Sequence, residues 1–311
     1  MFHVLIPNQM KKTKLPLGKR MLIALAFFCG SSLSMHAQLL YKVTKGVVVN
    51  DSVLVPDSVQ KPSYVVASCR LLNPMGTISQ VGELKNALTA TDQVYFEVNK
   101  SAYANTLADA KKLENGKTLL SLLTPAQQAK LNAFLKKYME VDFRSSYVQK
   151  KYGNLTPAAL LDDLEQLLFV ANHMGKYDPT HTFDQYFEAQ AKANGEFIGG
   201  LADVDSYVHA TYQGDLKQQV DRLVKFLENE QVVLGKMNKM VDAFTGQDLD
   251  AASQANYNPV DKATLEAWTT KMTTVMAEKP TLFVIDAGSL GGPEGMLQML
   301  RNSGYIVEGE K

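Results

Sequence analysis

TLFVIDAGSLGGPEGMLQMLRNSGYIVEG, residues 281–309, is the stretch on which the fold turns. Residues 281–286 are an apolar run closed by Asp286, the pattern of a strand buried on both faces. A Gly-rich turn follows, with Gly288, Gly291, Gly292 and Pro293, then a helical pattern over 293–302 and an edge strand over 304–307. Strand, turn, helix and strand in that order belong to an α/β domain.

Similar grammar stands at the other end of the chain. LLYKVTKGVVV (39–49) and SYVVASC (63–69) are β-branched and aromatic runs that read as strands, and the turn-rich NDSVLVPDSVQKP between them reads as a surface excursion. Val81, Leu84 and Leu88 give 79–90 a helical stripe, and DQVYFEV (92–98) is a buried-type strand, so the order is strand–helix–strand.

The middle is helical. Thr124-Pro125 and Thr156-Pro157 each set a capping hydroxyl before a proline suited to a first helical turn. Leu131, Phe134, Leu135 and Tyr138 form one stripe behind them, and Leu160, Leu161, Leu164, Leu167 and Leu168 another. Further helices are expected over 183–194, 215–245 and 260–278, with a short strand at 196–201. Met237 with Met240, and Met272 with Met276, have helical spacing and read as core. The predicted architecture is α/β: a mixed sheet built from N- and C-terminal strands, flanked by helices, with a helical lobe inserted from about 115 to 280.

Composition narrows the function. The 311 residues carry 32 basic and 32 acidic side chains, but Lys11, Lys12, Lys14, Lys19 and Arg20 lie in residues 1–37 with no acid. The remainder holds 27 basic against 32 acidic groups, a net of −5, which argues against nucleic acid and anionic membranes as partners. The basic stretch, the apolar MLIALAFFCG (21–30) and the small-residue SSLSMHA ending at Ala37 form the three parts of an export signal. Gly30, Ser31, Ser32 and Ser34 interrupt the apolar run after about ten residues, too few for a spanning helix. Met10 is the more natural start, and cleavage before Gln38 resembles signals of the Bacteroidetes group. The expectation is a signal peptide over 1–37 and an exported chain over 38–311, in the periplasm or at the cell surface or beyond, with no membrane span after cleavage. Cys69 is then the sole cysteine, so no intramolecular disulfide forms and burial alone holds the domain.

SYVVASCRLL (63–72), the helix after it, DQVYFEV (92–98) and LFVIDAGSLGGPEGMLQMLRNSGYIV (282–307) together resemble the TraB/GumN family, metal-dependent hydrolases akin to the Tiki proteases. FDQYFEAQAKANGEFIGGL (183–201) is similar to that family's middle region. The family pattern is a strand ending Gly-x-x-His, a second strand carrying a glutamate, and a terminal strand ending Gly-x-x-His before a Gly-rich turn. The resemblance implies a divalent metal at the carboxyl ends of the strands, where ligands of open α/β sheets bind, serving to activate water or polarise a carbonyl.

This chain departs from the pattern at the ligands. Ala67-Ser68-Cys69-Arg70 stands at the first Gly-x-x-His and Asp286-Ala287-Gly288-Ser289 at the second. Ala202 replaces the carboxylate expected after Leu201, and Thr264-Leu265 stand where the family has Arg-Asn ahead of Trp268. Glu97 persists. A guanidinium has no lone pair to offer a metal; it repels one and pairs instead with Glu97. Arg70, Glu97 and Ser289 are therefore vestigial catalytic positions. Arg70, Glu97, Asp286, Ser289, Gly291 and Gly292 are expected to line a binding cleft for a protein or peptide ligand, with no cofactor. His173, His181 and His209 show no i, i+4 pairing suited to a metal.

Two alternatives stand beside that inactive, cleft-bearing reading. One is a divergent peptidase-like hydrolase in which Glu97, Asp286 and Asp203 hold a harder ion such as Mn²⁺. The other is a surface protein acting through the helical lobe. Phosphate loops, nucleophile elbows, His-Glu-x-x-His helices and Cys-x-x-Cys pairs are missing from the sequence.

Overall fold

The strands of the two chain ends meet in one sheet. The computed structural model describes residues 38–49, 53–79, 81–173, 175 and 181–310; the expected export signal over 1–37, with its start at Met10, lies outside them. In chain order the elements are β1 (Leu40–Val49), β2 (Val53–Pro56), β3 (Ser63–Ser68), α1 (Met75–Ile78), α2 (Leu84–Ala90), β4 (Gln93–Phe96), α3 (Ala104–Ala110), α4 (Leu119–Leu122), α5 (Pro125–Met139), α6 (Ser146–Tyr152) and α7 (Pro157–Asn172). There follow α8 (Phe183–Asn194), β5 (Phe197–Gly200), α9 (Val204–Val208) with a π-helical turn (His209–Gln213), α10 (Leu216–Glu228), α11 (Glu230–Thr245), α12 (Leu249–Gln254), α13 (Lys262–Glu278), β6 (Thr281–Asp286), α14 (Ala287–Leu290), α15 (Met296–Asn302) and β7 (Tyr305–Gly309).

The strand order is β2-β1-β3-β6-β4-β5, with β7 also on β1. β3, β6, β4 and β5 are parallel, while β1 runs antiparallel to β2, β3 and β7. The sheet is mixed, as expected. β3 is buried along its whole length and β6 up to Ile285, which is why both are continuous apolar runs rather than alternating ones. β6 lies between β3 and β4, so the strand–helix–strand unit of residues 63–98 has the C-terminal strand inserted into it.

The helices follow their local chemistry. Thr124 and Thr156 accept the backbone N–H groups of Gln127 and Ala159, and Pro125 and Pro157 open α5 and α7. Met237, Met240, Met272 and Met276 are buried.

Two expectations need correction. The stretch read as a surface excursion contains β2, which extends the β1 hairpin at Val47↔Val55. The helix expected over 215–245 breaks at Asn229, whose backbone leaves the helical region, so α10 and α11 are separate. The short strand expected at 196–201 is present as β5 and joins the sheet. β5 comes from the middle of the chain and pairs with β4 at Val94↔Ile198. Bare Gly199 permits this, because a Cβ there would stand 2.5 Å from the Tyr95 ring. Residues 38–310 form one compact unit around an apolar core shared by the sheet and most helices of 115–280, while Ala110, Ala158, Ala159, Val204, Val208 and Tyr212 form a second, smaller cluster under α9. Among the described residues no helix is long and apolar enough to cross a membrane.

Candidate functional site

The carboxyl ends of β3, β6, β4 and β5 open on one edge of the sheet, the customary place for a ligand in an open α/β fold. Ser68 of β3 is level with Asp286 of β6, and Phe96 of β4 with Val284. The first residues beyond the strands therefore converge.

Arg70 leaves β3 after Cys69, which is wholly buried and whose thiol burial pushes up to about 12. That thiol is a packing group rather than a nucleophile. The Arg70 guanidinium lies 4.5 Å over the ring of Tyr257 and 3.5 Å from Glu165 Oε2. Burial opposes its charge, but Tyr257, Glu165, Asp286 and Asp162 outweigh that and hold it above its ordinary value. The side chain still exposes 44% of its surface, against 11% for Glu165, so the guanidinium forms part of a crevice wall.

Asp286 ends β6 and caps α14, its Oδ1 accepting the Gly288 N–H at 2.9 Å. Burial pushes this carboxyl up, while the Arg70 charge and the N–H groups of Gly288 and Arg70 pull it back. Glu97 Oε1 accepts the Asp286 N–H at 3.2 Å. Burial first, and the Asp286 charge second, push Glu97 up to about 7 against the opposing charge of Lys100. Lys100 is itself paired with Asp184 at 2.8 Å. Glu97 and Asp286 are half-buried and retain some solvent contact at the strand ends.

The expected Arg70–Glu97 pair is replaced. Arg70 reaches across to α7 and Glu165, while Glu97 is engaged by the backbone at the end of β6. The reason is topological: β6 stands between β3 and β4, which separates the strand ends carrying the two groups. Ser289 lies inside the short helix α14 and is 3% exposed, so its hydroxyl does not line an open cleft. Gly291 and Gly292 serve docking. A Cβ on Gly291 would fall 2.0 Å from the Leu249 carbonyl oxygen, and the Gly292 N–H donates to Asp250 Oδ1 at 2.6 Å. The Gly-rich turn is thus seated on the start of α12.

Glu165 and Tyr257 complete the site without having been singled out in the sequence. Glu165 had a usable signal: it lies four residues after Leu161 and three before Leu168, a carboxylate on the apolar stripe of α7. It is 8% exposed, and burial pushes it up to about 7 against the pull of Arg70. Tyr257, in the loop between α12 and α13, had none. A separate groove of about 590 Å³, lined by residues that include Asp109, Asp205 and His209, shares no side chain with this crevice.

A divalent metal does not fit the residues present. Neither Arg70 nor Ser289, the positions at which the resemblance implies imidazoles, offers a lone pair from nitrogen: one is a permanent cation and the other a buried serine. Asp203 is turned to another task. It is exposed, caps α9 by accepting the Ser206 N–H at 2.9 Å, and is held below its ordinary value by that bond. Among the described residues no three His, Cys, Asp or Glu side chains are grouped to hold a metal ion. His173 stacks instead on Phe169 with ring centroids 4.2 Å apart.

Neither a search of curated proteins nor one of solved structures returns a match. A model of the TraB/PrgY/gumN family matches residues 76–309, which takes in β4, β5, β6 and the Gly-rich turn but begins after Arg70. The first strand is tied to the rest by geometry, since β3 lies in parallel register beside β6. With three quarters of its length matched by one family model, the chain belongs to the TraB/PrgY/gumN family.

Proposed function

We propose that this protein is an exported member of its family that has lost metal-dependent hydrolysis and keeps the crevice at the strand ends as a binding surface for a protein or peptide ligand. The observation that carries this reading is the seat of Arg70. A guanidinium stands where the family resemblance implies an imidazole, and it is held against the Tyr257 ring and Glu165. At a half-exposed site the cation–π contact contributes about 0.5–1 kcal/mol, and the Glu165 carboxylate adds a long charge-assisted contact that fixes its direction. The seat is therefore a defined arrangement, with carboxylates and an aromatic face that suit the polar and apolar parts of a peptide. The net charge of −5 over residues 38–311 argues against nucleic acid as the partner.

Elemental analysis of purified residues 38–311, with a peptidase screen in the presence and absence of chelator, is the direct test. The expected result is substoichiometric metal and no chelator-sensitive cleavage. Stoichiometric Mn, Co or Zn together with chelator-sensitive hydrolysis would overturn the reading and restore the carboxylate hydrolase.

A further inference from the structure

We propose that Arg70 and Glu165 form a pH-sensitive latch between the sheet edge and helix α7, closed when Glu165 is ionised and open when it is protonated. The inference goes beyond the binding role and stands whether or not the crevice takes a ligand. Its ground is the placement of the pair. Arg70 belongs to the exit of β3 and Glu165 to the third turn of α7, 95 residues later, so this ion pair ties the end of the sheet to the helical part of the chain.

The pair is built to respond. It is joined by one contact of 3.5 Å, at the long limit of a hydrogen bond, and the guanidinium is nearly half exposed. Loss of the Glu165 charge leaves Arg70 with the Tyr257 face and the attraction of Asp286 and Asp162. The groups acting on Glu165 are Arg70 from the exit of β3, Tyr257 from the α12–α13 loop and Asp162 on its own helix; Tyr212 of the π-helical turn donates to Asp162 at 2.8 Å. Asp286 faces Arg70 from the end of β6, with Glu97, Lys100 and Asp184 beyond it. Burial outweighs Arg70 and places the Glu165 transition at about 7. A carboxyl raised in the folded protein takes up its proton as pH falls through that value, so the latch is closed above it and open below.

Hydrogen exchange on the exported chain, expressed as protection factors that correct for the intrinsic pH dependence, reads the latch directly. The reporters are the Leu72 amide, bonded to the Cys69 carbonyl at 3.2 Å, and the buried Ala255 amide at the start of the Tyr257 loop, bonded to the Ala251 carbonyl at 3.0 Å. Between pH 8 and pH 5.5 both are expected to lose at least tenfold in protection, with a midpoint near 7. Glu165→Gln, which imitates the protonated state, is expected to show the low protection at both pH values, whereas Glu97→Gln keeps the step. Should Glu165→Gln fail to fold, ¹³C NMR of the glutamate carboxyls in the unaltered protein supplies the answer. A Glu165 titration coinciding with the protection step supports the latch. A missing step, a step retained in Glu165→Gln, or a Glu165 carboxyl still ionised below pH 6 overturns it.

Discussion

Gly291→Ala is expected to destabilise the protein by about 3 kcal/mol, the upper range for overpacking a closed interior. A methyl group there would stand 2.0 Å from the Leu249 carbonyl oxygen, 2.3 Å from its carbon and 2.7 Å from the Asp250 nitrogen. All three are backbone atoms, and none can rotate aside as a side chain can. Gly291 itself has an ordinary extended backbone, with φ at −82°, so the cost is steric and must be met by moving α12 off α14. The displaced segment leads into the loop that holds Tyr257 over Arg70, so the injury reaches the crevice as well as the core. For a folded chain of this size the expected fall in Tm is about 5 °C. Gly292→Ala is the control. Its φ of +81° strains an alanine, but the nearest outside atom is Ser253 Oγ at 3.9 Å, so the cost is about 1 kcal/mol. Thermal denaturation of both variants checks the ranking; a Gly291→Ala protein within 0.5 kcal/mol of the original would show that α12 does not rest on this turn.

That contact also marks what the sequence could and could not disclose. The apolar run of 281–286 and its partner at 63–68 were legible because a strand buried on both faces has one simple signature, and the Thr-Pro pairs announced α5 and α7 because caps are local chemistry. β2 was lost because a four-residue strand flanked by Asp, Ser and Pro has the composition of a turn, and only its pairing with β1 makes it a strand. At the crevice, Arg70, Glu97 and Asp286 could be placed at one edge because each closes a strand. Their pairing could not be read, since it depends on β6 being inserted between β3 and β4. The Gly-rich turn pointed to a ligand, yet the backbone of α12 is what approaches it. Glu165 was visible as a carboxylate on an apolar stripe, but its partner, 95 residues away in sequence, was not.

Glu165 and Glu97 should make the protein more stable in mild acid than in mild base. Both carboxyls sit near 7 in the folded chain, raised from an ordinary 4.5. Between those two values the folded state binds more protons than the unfolded state, so the free energy of unfolding falls as pH rises. The penalty is absent below about 4.5 and complete above about 7. Between pH 5.5 and pH 8 the sensitivity amounts to about 2 kcal/mol for Glu165, and Glu97 acts in the same direction. For Glu97 the value belongs to the pair it makes with Asp286, since the two carboxyls share one field. Urea denaturation at the two pH values, on the unaltered protein and on Glu165→Gln, isolates the contribution. Glutamine carries no titrating group, so the variant is expected to gain about 2 kcal/mol on the original between pH 5.5 and pH 8. A difference that stays constant with pH would place Glu165 at its ordinary value. The same protonation that loosens the Arg70 contact thus strengthens the fold as a whole, because it relieves the burial of a charge. Local opening with rising global stability distinguishes this site from ordinary acid unfolding, in which the two decline together.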